Sequence, residues 1–267
     1  MIHLVKRFVI AVAIAAASAL LTTGTAYAAP ETPLTALKKQ YVEGRGVKIK
    51  ETSYIELDGE SLGSSSRVTG VVGFGRKGVN SYDLTLRGAS LLSEGNSKIQ
   101  IIHTKGDTYL KAPGTPDMPS GWVRYPDAAV GFSTSQLINI FDPKMLKKVI
   151  AAAKVRKPGE YRGTVPLKDL VGSELGKSLG KAKVNYRIFF NGKKLITRVR
   201  SEMVLDFGVL GSMNSITDTQ YYEWGRKVKI QAPPKDQVTD AKDLEGGESG
   251  DHPSETPPPV FDLVPSN

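Results

Sequence analysis

Three histidines and no cysteine limit the chemistry that this chain of 267 residues can perform. Because the chain has no cysteine, it can have no thiolate nucleophile, no thiolate metal site and no disulfide framework. His3 and His252 lie near the two ends, which leaves His103 as the only imidazole of the central part. A Ser-His-Asp triad or a histidine metal site would depend on that one residue. Its place in an alternating apolar stretch favours a hydrogen-bonded strand histidine, and we predict no catalytic residue, no metal site and no cofactor.

Three short matches to catalytic motifs lack the context that their chemistry needs. Residues 59–63 match G-x-S-x-G, but a nucleophile elbow requires a turn from strand to helix, and here we expect a loop before another strand. Residues 73–78 match G-x-G-x-x-G, but a strand follows, so no helix N-terminus can hold a pyrophosphate and we predict a hairpin turn. Residues 178–181 match S-x-x-K without its companion motifs. The carboxylates of Asp58 and Glu60 leave a carboxylate-based hydrolase as the one coherent enzymatic alternative, although a solvated loop end is the simpler interpretation.

The first 28 residues have the pattern of a secretory signal peptide. Lys6 and Arg7 precede an apolar run, and Ala26 and Ala28 supply the small residues of a cleavage site. The run is short for a bilayer span, and no later stretch reaches about 18 consecutive apolar residues. We therefore predict export, with cleavage after Ala28. No lipid anchor is expected, because there is no cysteine to acylate.

Charge is distributed unevenly along the chain. Residues 29–235 contain 33 bases and 19 acids, a net charge of +14, whereas eight acids and only Lys242 follow from Asp236 onward. In an exported protein such a basic body favours an anionic membrane surface or a wall polymer as partner, and not nucleic acid; solubility alone is an equally good explanation. Residues 240–267 are rich in Gly, Pro, Ser and acids, so we predict a disordered tail there.

Period-two alternation dominates residues 45–232 and indicates antiparallel strands. Asn191-Gly192 between two such stretches predicts a two-residue type I′ turn. After this turn the apolar and small residues occupy one face and the charged residues the other. The first face contains Leu195, Thr197, Val199, Ser201, Met203, Leu205 and Phe207, and the second contains Arg198, Arg200, Glu202 and Asp206.

Helical periodicity is confined to residues 33–42, 134–155 and 166–179. The second stretch is interrupted at Asp142-Pro143, where the types fit a helix cap followed by a first helical position. Strands, a helical insert and further strands predict one α+β domain over residues 29–239, with helices on one face of a large antiparallel sheet.

Several short segments resemble a known family. They are residues 106–113 (GDTYLKAP), 121–123 (GWV), 141–143 (FDP), 161–165 (YRGTV) and 222–234 (YEWGRKVKIQAPP). On these segments the chain is similar to actinobacterial exported proteins of the LppX/LprG class, which share the half-barrel fold of LolA and LolB. The resemblance implies a strongly curved antiparallel sheet whose concave face is crossed by helices and encloses an apolar cavity for lipids or lipidated ligands. The chain departs from that class in lacking the anchoring cysteine.

The leading hypothesis is therefore an exported, non-enzymatic carrier or chaperone for a hydrophobic or amphipathic molecule, such as a lipid or lipoconjugate. The cavity lining that the resemblance implies consists of Val72, Phe74, Leu84, Leu86, Ile101, Met203 and Leu205 from strands, and Leu137, Phe141, Leu146 and Ile150 from the helical insert. Each of these is also explained by an ordinary core. The alternative is a protein-interaction or sensor module with a filled core and a basic outer face, in which Lys193, Lys194, Arg198 and Arg200 contact the partner.

Overall fold

The computed structural model describes residues 31–88, 98–115, 118–126, 134–171 and 182–244. The predicted signal peptide, the S-x-x-K match and residues 245–267 of the predicted tail lie outside these ranges. No helix within the ranges has the length and apolar character that crossing a membrane requires.

In the part of the chain that the structure describes, twelve strands form one sheet in the order β12-β6-β5-β4-β3-β2-β1-β11-β10-β9-β8-β7. They are β1 (Arg45–Leu57), β2 (Glu60–Gly75), β3 (Gly78–Gly88), β4 (Lys98–Thr104), β5 (Asp107–Lys111), β6 (Trp122–Tyr125), β7 (Ala153–Lys157), β8 (Glu160–Pro166), β9 (Lys183–Phe190), β10 (Ile196–Asp206), β11 (Ser212–Lys227) and β12 (Val238–Asp240). All neighbouring pairs are antiparallel except β12 with β6, which is parallel. The sheet is curved and unclosed, which confirms the predicted half-barrel architecture.

Two tight hairpins have turns of type I′. Asp58 and Gly59 connect β1 to β2 with φ of 52° and 83°, and Lys105 and Gly106 connect β4 to β5 with φ of 56° and 89°. A type I′ turn requires positive φ at both central residues, and Asp-Gly is a preferred pair for it. The G-x-S-x-G match therefore begins in this turn and continues in β2, so the predicted loop at residues 60–63 is wrong. The predicted hairpin turn at residues 73–78 is confirmed between β2 and β3.

The hairpin at Asn191-Gly192 is present, but its predicted turn type is wrong. Neither of these two residues has positive φ; Lys194 takes φ of 59° instead. The Asn191 side-chain oxygen accepts hydrogen bonds from the backbone N–H groups of Lys193 and Leu195, at 2.9 and 3.0 Å. These side-chain hydrogen bonds stabilise a loop of more than two residues, in which Lys194 takes the left-handed conformation.

The helices of the described ranges are α1 (Pro33–Lys38), α2 (Pro143–Ala151) and α3 (Ala241–Leu244). Asp142 caps α2 by accepting a hydrogen bond from the Lys144 N–H at 2.7 Å, and Pro143 occupies the first turn, as predicted. The rest of the predicted helix over residues 134–155 is wrong, since residues 153–157 form β7 and residues 134–142 form an irregular loop. In that loop the side chains of Gln136 and Asn139 accept hydrogen bonds from nearby backbone N–H groups, which competes with helix formation. Of the third predicted helix, the described part shows only a 3-10 turn at Leu167–Asp169.

The face of the sheet that α2 and the 134–142 loop cover is called the inner face, and the opposite face is called the outer face. Helix α2 buries Met145, Leu146 and Val149 in one core cluster with inward strand residues. The Tyr186 hydroxyl donates a hydrogen bond of 2.6 Å to the Val149 carbonyl, which fixes α2 to β9.

A smaller cluster on the outer face contains Ile102, Tyr109 and Trp122, covered by Ile230 and Val238 from the C-terminal part. Arg124 makes two hydrogen bonds to the Asp240 carboxylate, and the described fold continues to Leu244.

Candidate functional site

Cross-strand pairing divides the inner face of the central strands β1, β11 and β10 into three bands. The proximal band contains Val47, Ile49 and Tyr221, which belong to the core cluster. A middle band, the polar belt, consists of Glu51, Ser53, Ser201, Thr217 and Thr219 on these strands, joined by Ser66 of β2 and Ser135 of the 134–142 loop. Val199, which pairs with Thr219, is its buried apolar member. A third band, the distal apolar face, consists of Ile55, Leu57, Met203, Leu205 and Met213. Its members occupy two adjacent rows, in which Ile55 and Met203 both pair with Ser215, and Leu57 and Leu205 both pair with Met213.

The proximal band is closely packed. The rings of Tyr41, Phe74, Phe141, Tyr221 and Trp224 form a connected group with centroids 5.5–6.2 Å apart. The Tyr41 hydroxyl donates to the Phe141 carbonyl at 2.6 Å, so α1 and the 134–142 loop close over the same group. This half of the inner face is a filled core.

Hydrogen bonds of the polar belt hold the 134–142 loop across the sheet. Glu51 is 1% exposed, and its two carboxylate oxygens accept from the Ser135 N–H at 2.7 Å and the Thr219 hydroxyl at 2.8 Å. The Thr217 hydroxyl donates to the Ser135 carbonyl at 3.3 Å. The Ser53 hydroxyl lies 2.6 Å from that of Ser66 and 3.1 Å from that of Ser135.

The carboxyl group of Glu51 is the buried ionisable group of this belt. Burial raises its pKa, while hydrogen bonds from Thr219, Ser135 and Thr134 act in the opposite direction. Its partners are uncharged, and no cation of the described residues forms an ion pair with it. Both oxygens are used in holding the loop, so Glu51 has a structural role in this arrangement.

The distal apolar face is open. Ile55 is 37% exposed and Leu57 is 43% exposed, although both point to the side of the sheet that is elsewhere covered. Met203, Leu205 and Met213 are partly exposed. Leaving apolar side chains in water is unfavourable by about 25 cal/mol for each Å² of apolar surface, so this face would be stabilised by an apolar cover.

Acidic side chains border the far end of this face. Asp58 is exposed in the β1–β2 turn and accepts a hydrogen bond from the Ser212 N–H at 2.7 Å, while Asp206 lies exposed at the end of β10. On the outer side of the same strands, Glu56 and Glu202 both accept hydrogen bonds from the Asn214 amide. The surroundings of the distal apolar face are therefore hydroxyl-bearing on one side and acidic on the other.

The structure separates the predicted cavity residues into two groups. Nine belong to the packed half or its margin: Val72, Phe74, Leu84, Leu86, Ile101, Leu137, Phe141, Leu146 and Ile150. Only Met203 and Leu205 lie on the open face, with Met203 also touching the core cluster. Sequence reasoning missed Ile55, Leu57 and Met213. The alternation Ser53-Ile55-Leu57 before the Asp58-Gly59 turn carried the signal for two of them.

Neither of two clefts on the described surface lies between the helices and the sheet, where the predicted cavity would be. One, of about 450 Å³, is lined mainly by polar and basic residues, including Arg45, Lys105 and Lys229. The other, of about 260 Å³, lies on the outer face against Lys50, Tyr54 and Arg200. The role of the predicted cavity lining in ligand binding remains a prediction.

The remaining candidate residues have local explanations. His103 lies on β4, its Nδ1 is 2.9 Å from the Thr108 hydroxyl, and its ring stacks on Tyr82 with centroids 5.2 Å apart. It is the hydrogen-bonded strand histidine that the sequence predicts, and burial lowers its pKa. Asp58 is a turn residue and Glu60 begins β2. Among the described residues no cluster of three histidine or acidic side chains could hold a metal ion.

The four cations of the predicted partner surface differ in their surroundings. Arg198 is tied to Asp218 through its Nε at 2.8 Å, so its charge is already compensated. Arg200 and Lys193 are exposed, and Lys194 is the left-handed turn residue.

No protein-family model and no curated protein matches this chain. Solved structures of similar fold include LprF from Mycobacterium bovis, with 15% identity over 75% of this chain and 95% of that one and a TM-score of 0.38. They also include a DUF1329-family protein from Desulfovibrio piger, with 11% identity over 75% and 96% and a TM-score of 0.28. A third is a LolA-superfamily protein from Nitrosomonas europaea, with 10% identity over 76% and 94% and a TM-score of 0.26. At these identities and TM-scores, the likenesses carry no argument about the role of this chain.

Proposed function

We propose that this chain is an exported, non-enzymatic binding protein for an amphipathic ligand, a lipid or lipoconjugate, whose apolar part lies on the distal apolar face. The observation that carries the proposal is the exposure of Ile55 and Leu57 on the inner face. They belong to two adjacent rows on three neighbouring strands: the row of Leu57, Met213 and Leu205 is wholly apolar, and in the other row Ser215 lies between Ile55 and Met203.

The energy available at this face suits an acyl chain. Full burial of an exposed leucine, isoleucine or methionine side chain contributes about 1.5–3 kcal/mol, and each of the five partly exposed side chains here could gain a part of that. Even partial cover by a ligand would offset much of the entropy that binding costs. The site is expected to be shallow, because the aromatic group already fills the proximal half of the inner face.

The polar surroundings favour an uncharged polar group on the ligand. The hydroxyls of Ser53 and Ser66 can exchange hydrogen bonds with ligand hydroxyl or ester groups. In contrast, Asp58 and Asp206 would repel a phosphate at the far end. The ligand class that fits best is a neutral amphipathic molecule such as a diacylglycerol or a glycolipid.

The extracytoplasmic location is also part of the proposal. It is supported by the signal-peptide pattern of residues 1–28, and the lack of cysteine supports a form without a lipid anchor. The secreted chain is expected to begin at Ala29. Its intact mass would test this directly, since an uncleaved N-terminus or an added acyl mass would contradict it.

The test of the binding site uses two adjacent residues of one strand. Leu205 points to the distal apolar face, and Val204, which is 43% exposed, points to the outer face. Leu205→Asp should weaken binding of a fluorescent diacylglycerol analogue at least about tenfold, because it places a charge under the acyl chain. Val204→Asp adds the same charge and should change the affinity less than about twofold.

Leu57→Asp provides a second inward variant on a different strand. Its side chain is 43% exposed, so the fold should tolerate the change, which melting curves would verify. Equal binding by all three variants, or no binding by the wild-type protein, would overturn the proposal.

A further inference from the structure

The outer face carries a row of paired residues across eight strands, of which six are cationic and the two in the middle, Asp218 and Thr52, are not. Each member pairs directly with the next across neighbouring strands. In order from β8 to β4 the row consists of Arg162, Arg187, Arg200, Asp218, Thr52, Arg67, Arg87 and Lys98. We call it the basic row.

Five of the six cations of the basic row form no ion pair in the described part of the chain, although Arg200 lies opposite Asp218 on the neighbouring strand. Glu160 binds Arg162 through two hydrogen bonds of 2.5 and 2.7 Å, and Arg198 binds Asp218. The other five cations are Arg187, Arg200, Arg67, Arg87 and Lys98. All five are exposed, and none forms an ion pair within the described part of the chain.

Such an arrangement is unfavourable for the free protein. Like charges directly opposite each other on neighbouring strands are destabilising, and here Arg187 faces Arg200 while Arg87 faces both Arg67 and Lys98. Solubility would be served equally well by charges of both signs in alternation. A bound anion would relieve the repulsion.

On the proximal side of the row, the next outward row adds Lys111 and Lys50, which pair with Gln100 and Thr69. On its distal side, the next row contains Tyr54, Ile216 and Glu202 and no cation among these three. The positive charge thus forms a band, bordered on its distal side, that crosses seven strand spacings, about 34 Å at 4.8 Å each.

A long band of charge on a curved face fits a chain better than a plane. The row runs across the strands, in the direction along which the sheet curves, on the face opposite the helices. A flat bilayer would touch only part of such a band, whereas a flexible polymer can follow its whole length. Arginine predominates in the row, and its planar guanidinium group forms paired hydrogen bonds with phosphate oxygens.

We propose that the basic row binds a linear, phosphate-bearing polyanion along the outer face, at a site separate from the ligand site of the inner face. The proposal does not depend on lipid binding. A chain that spans several strands contacts several arginines at once, so affinity should rise with polymer length.

The experiment measures binding of long-chain inorganic polyphosphate to the secreted protein at moderate salt. The triple variant R67Q/R187Q/R200Q should weaken binding at least about tenfold, and the salt slope should fall by about 2, as expected for three lost contacts to a single-stranded polyanion. The matched control is K144Q/K147Q/K148Q, which removes the same charge from the exposed side of α2. It should change the affinity less than about threefold.

Two further arms sharpen the result. Asp218→Asn removes the one acid of the row and releases Arg198, so it should strengthen polyphosphate binding severalfold. Tripolyphosphate should bind much more weakly than the long polymer. The row variant should keep or raise the melting temperature, because it removes like-charge contacts.

Three outcomes would overturn the proposal. Equal losses in both triple variants would mean that net charge alone attracts the polymer. Tighter binding of polyglutamate than of polyphosphate would contradict the phosphate assignment. Binding of phosphatidylglycerol vesicles that depends on the row, with polyphosphate binding unaffected by it, would assign the row to a membrane.

Discussion

The proximal and distal halves of the inner face are built on the same strands but differ in what covers them. On β1, Val47 and Ile49 are fully buried under α1 and the aromatic group, whereas Ile55 and Leu57 remain exposed. The polar belt around Glu51 separates the two halves. A strand's apolar alternation therefore determines which face it turns inward, and the covering segments determine whether that face is core or available surface.

The largest expected effect is the difference in stability loss when a leucine is replaced by alanine in the proximal half and in the distal half. Leu146→Ala removes a fully buried side chain from α2 and should lower the free energy of unfolding by about 2–5 kcal/mol. Leu57→Ala makes the same chemical change on the distal apolar face and should cost less than about 1 kcal/mol, since its side chain is already largely in water. Urea denaturation of both variants measures the difference. Similar losses would show that the distal face is as packed as the proximal one.

The polar belt gives a pH-dependent effect of intermediate size. Because burial raises the pKa of Glu51 in the folded state, the folded protein holds this proton more tightly than the unfolded chain does. Stability from this group is therefore greatest below the ordinary glutamate pKa of about 4.3 and falls as pH rises through the raised folded pKa. Between the ordinary pKa and the raised folded pKa, the free energy of unfolding falls by about 1.4 kcal/mol for each pH unit.

Glu51→Gln removes this titration. Relative to wild type, the variant should gain stability as pH rises through the window, in paired denaturation series at several pH values. A constant difference between the two proteins would show that the carboxyl titrates equally in the folded and unfolded states.

The smallest effect concerns the turn at the end of the distal half. Gly59 has φ of 83° and no neighbouring atom within 4 Å of an added Cβ, so Gly59→Ala should cost about 1 kcal/mol through backbone strain alone. Gly192 also has free space around it but no positive φ, so Gly192→Ala should be neutral within about 0.5 kcal/mol. Thermal unfolding of the two variants measures both losses. A larger loss for Gly192→Ala than for Gly59→Ala would support the type I′ turn first predicted at Asn191-Gly192.

The sheet could be predicted because its signals are local. Alternation placed Val72, Leu84 and Ile101 on inward positions of neighbouring strands, and Asp142-Pro143 marked the start of α2. The 134–142 loop could not be predicted, because its apolar residues have near-helical spacing while its backbone is held by Glu51, more than 80 positions earlier in the chain. Sequence patterns within a short window contain no information about such a partner.

The candidate site shows the same limit. Met203 and Leu205 could be predicted as inward residues, but nothing in their own strand distinguishes them from Val199, which is buried. The difference arises from where α2 and the loop lie. Similarly, the basic row is invisible in the sequence, because its residues come from eight separate strands and meet only through the sheet register.

Photo-crosslinking tests the central claim, that an apolar ligand lies on the distal apolar face, most directly. A diacylglycerol analogue with a diazirine in its acyl chain would be bound to the purified protein and irradiated, and the labelled residues would be located by mass spectrometry. We expect labels on Ile55, Leu57, Met203, Leu205 and Met213, with unlabelled competitor suppressing them and Val204 remaining unlabelled. Labels confined to the outer face, or spread over the surface and insensitive to competitor, would contradict the account.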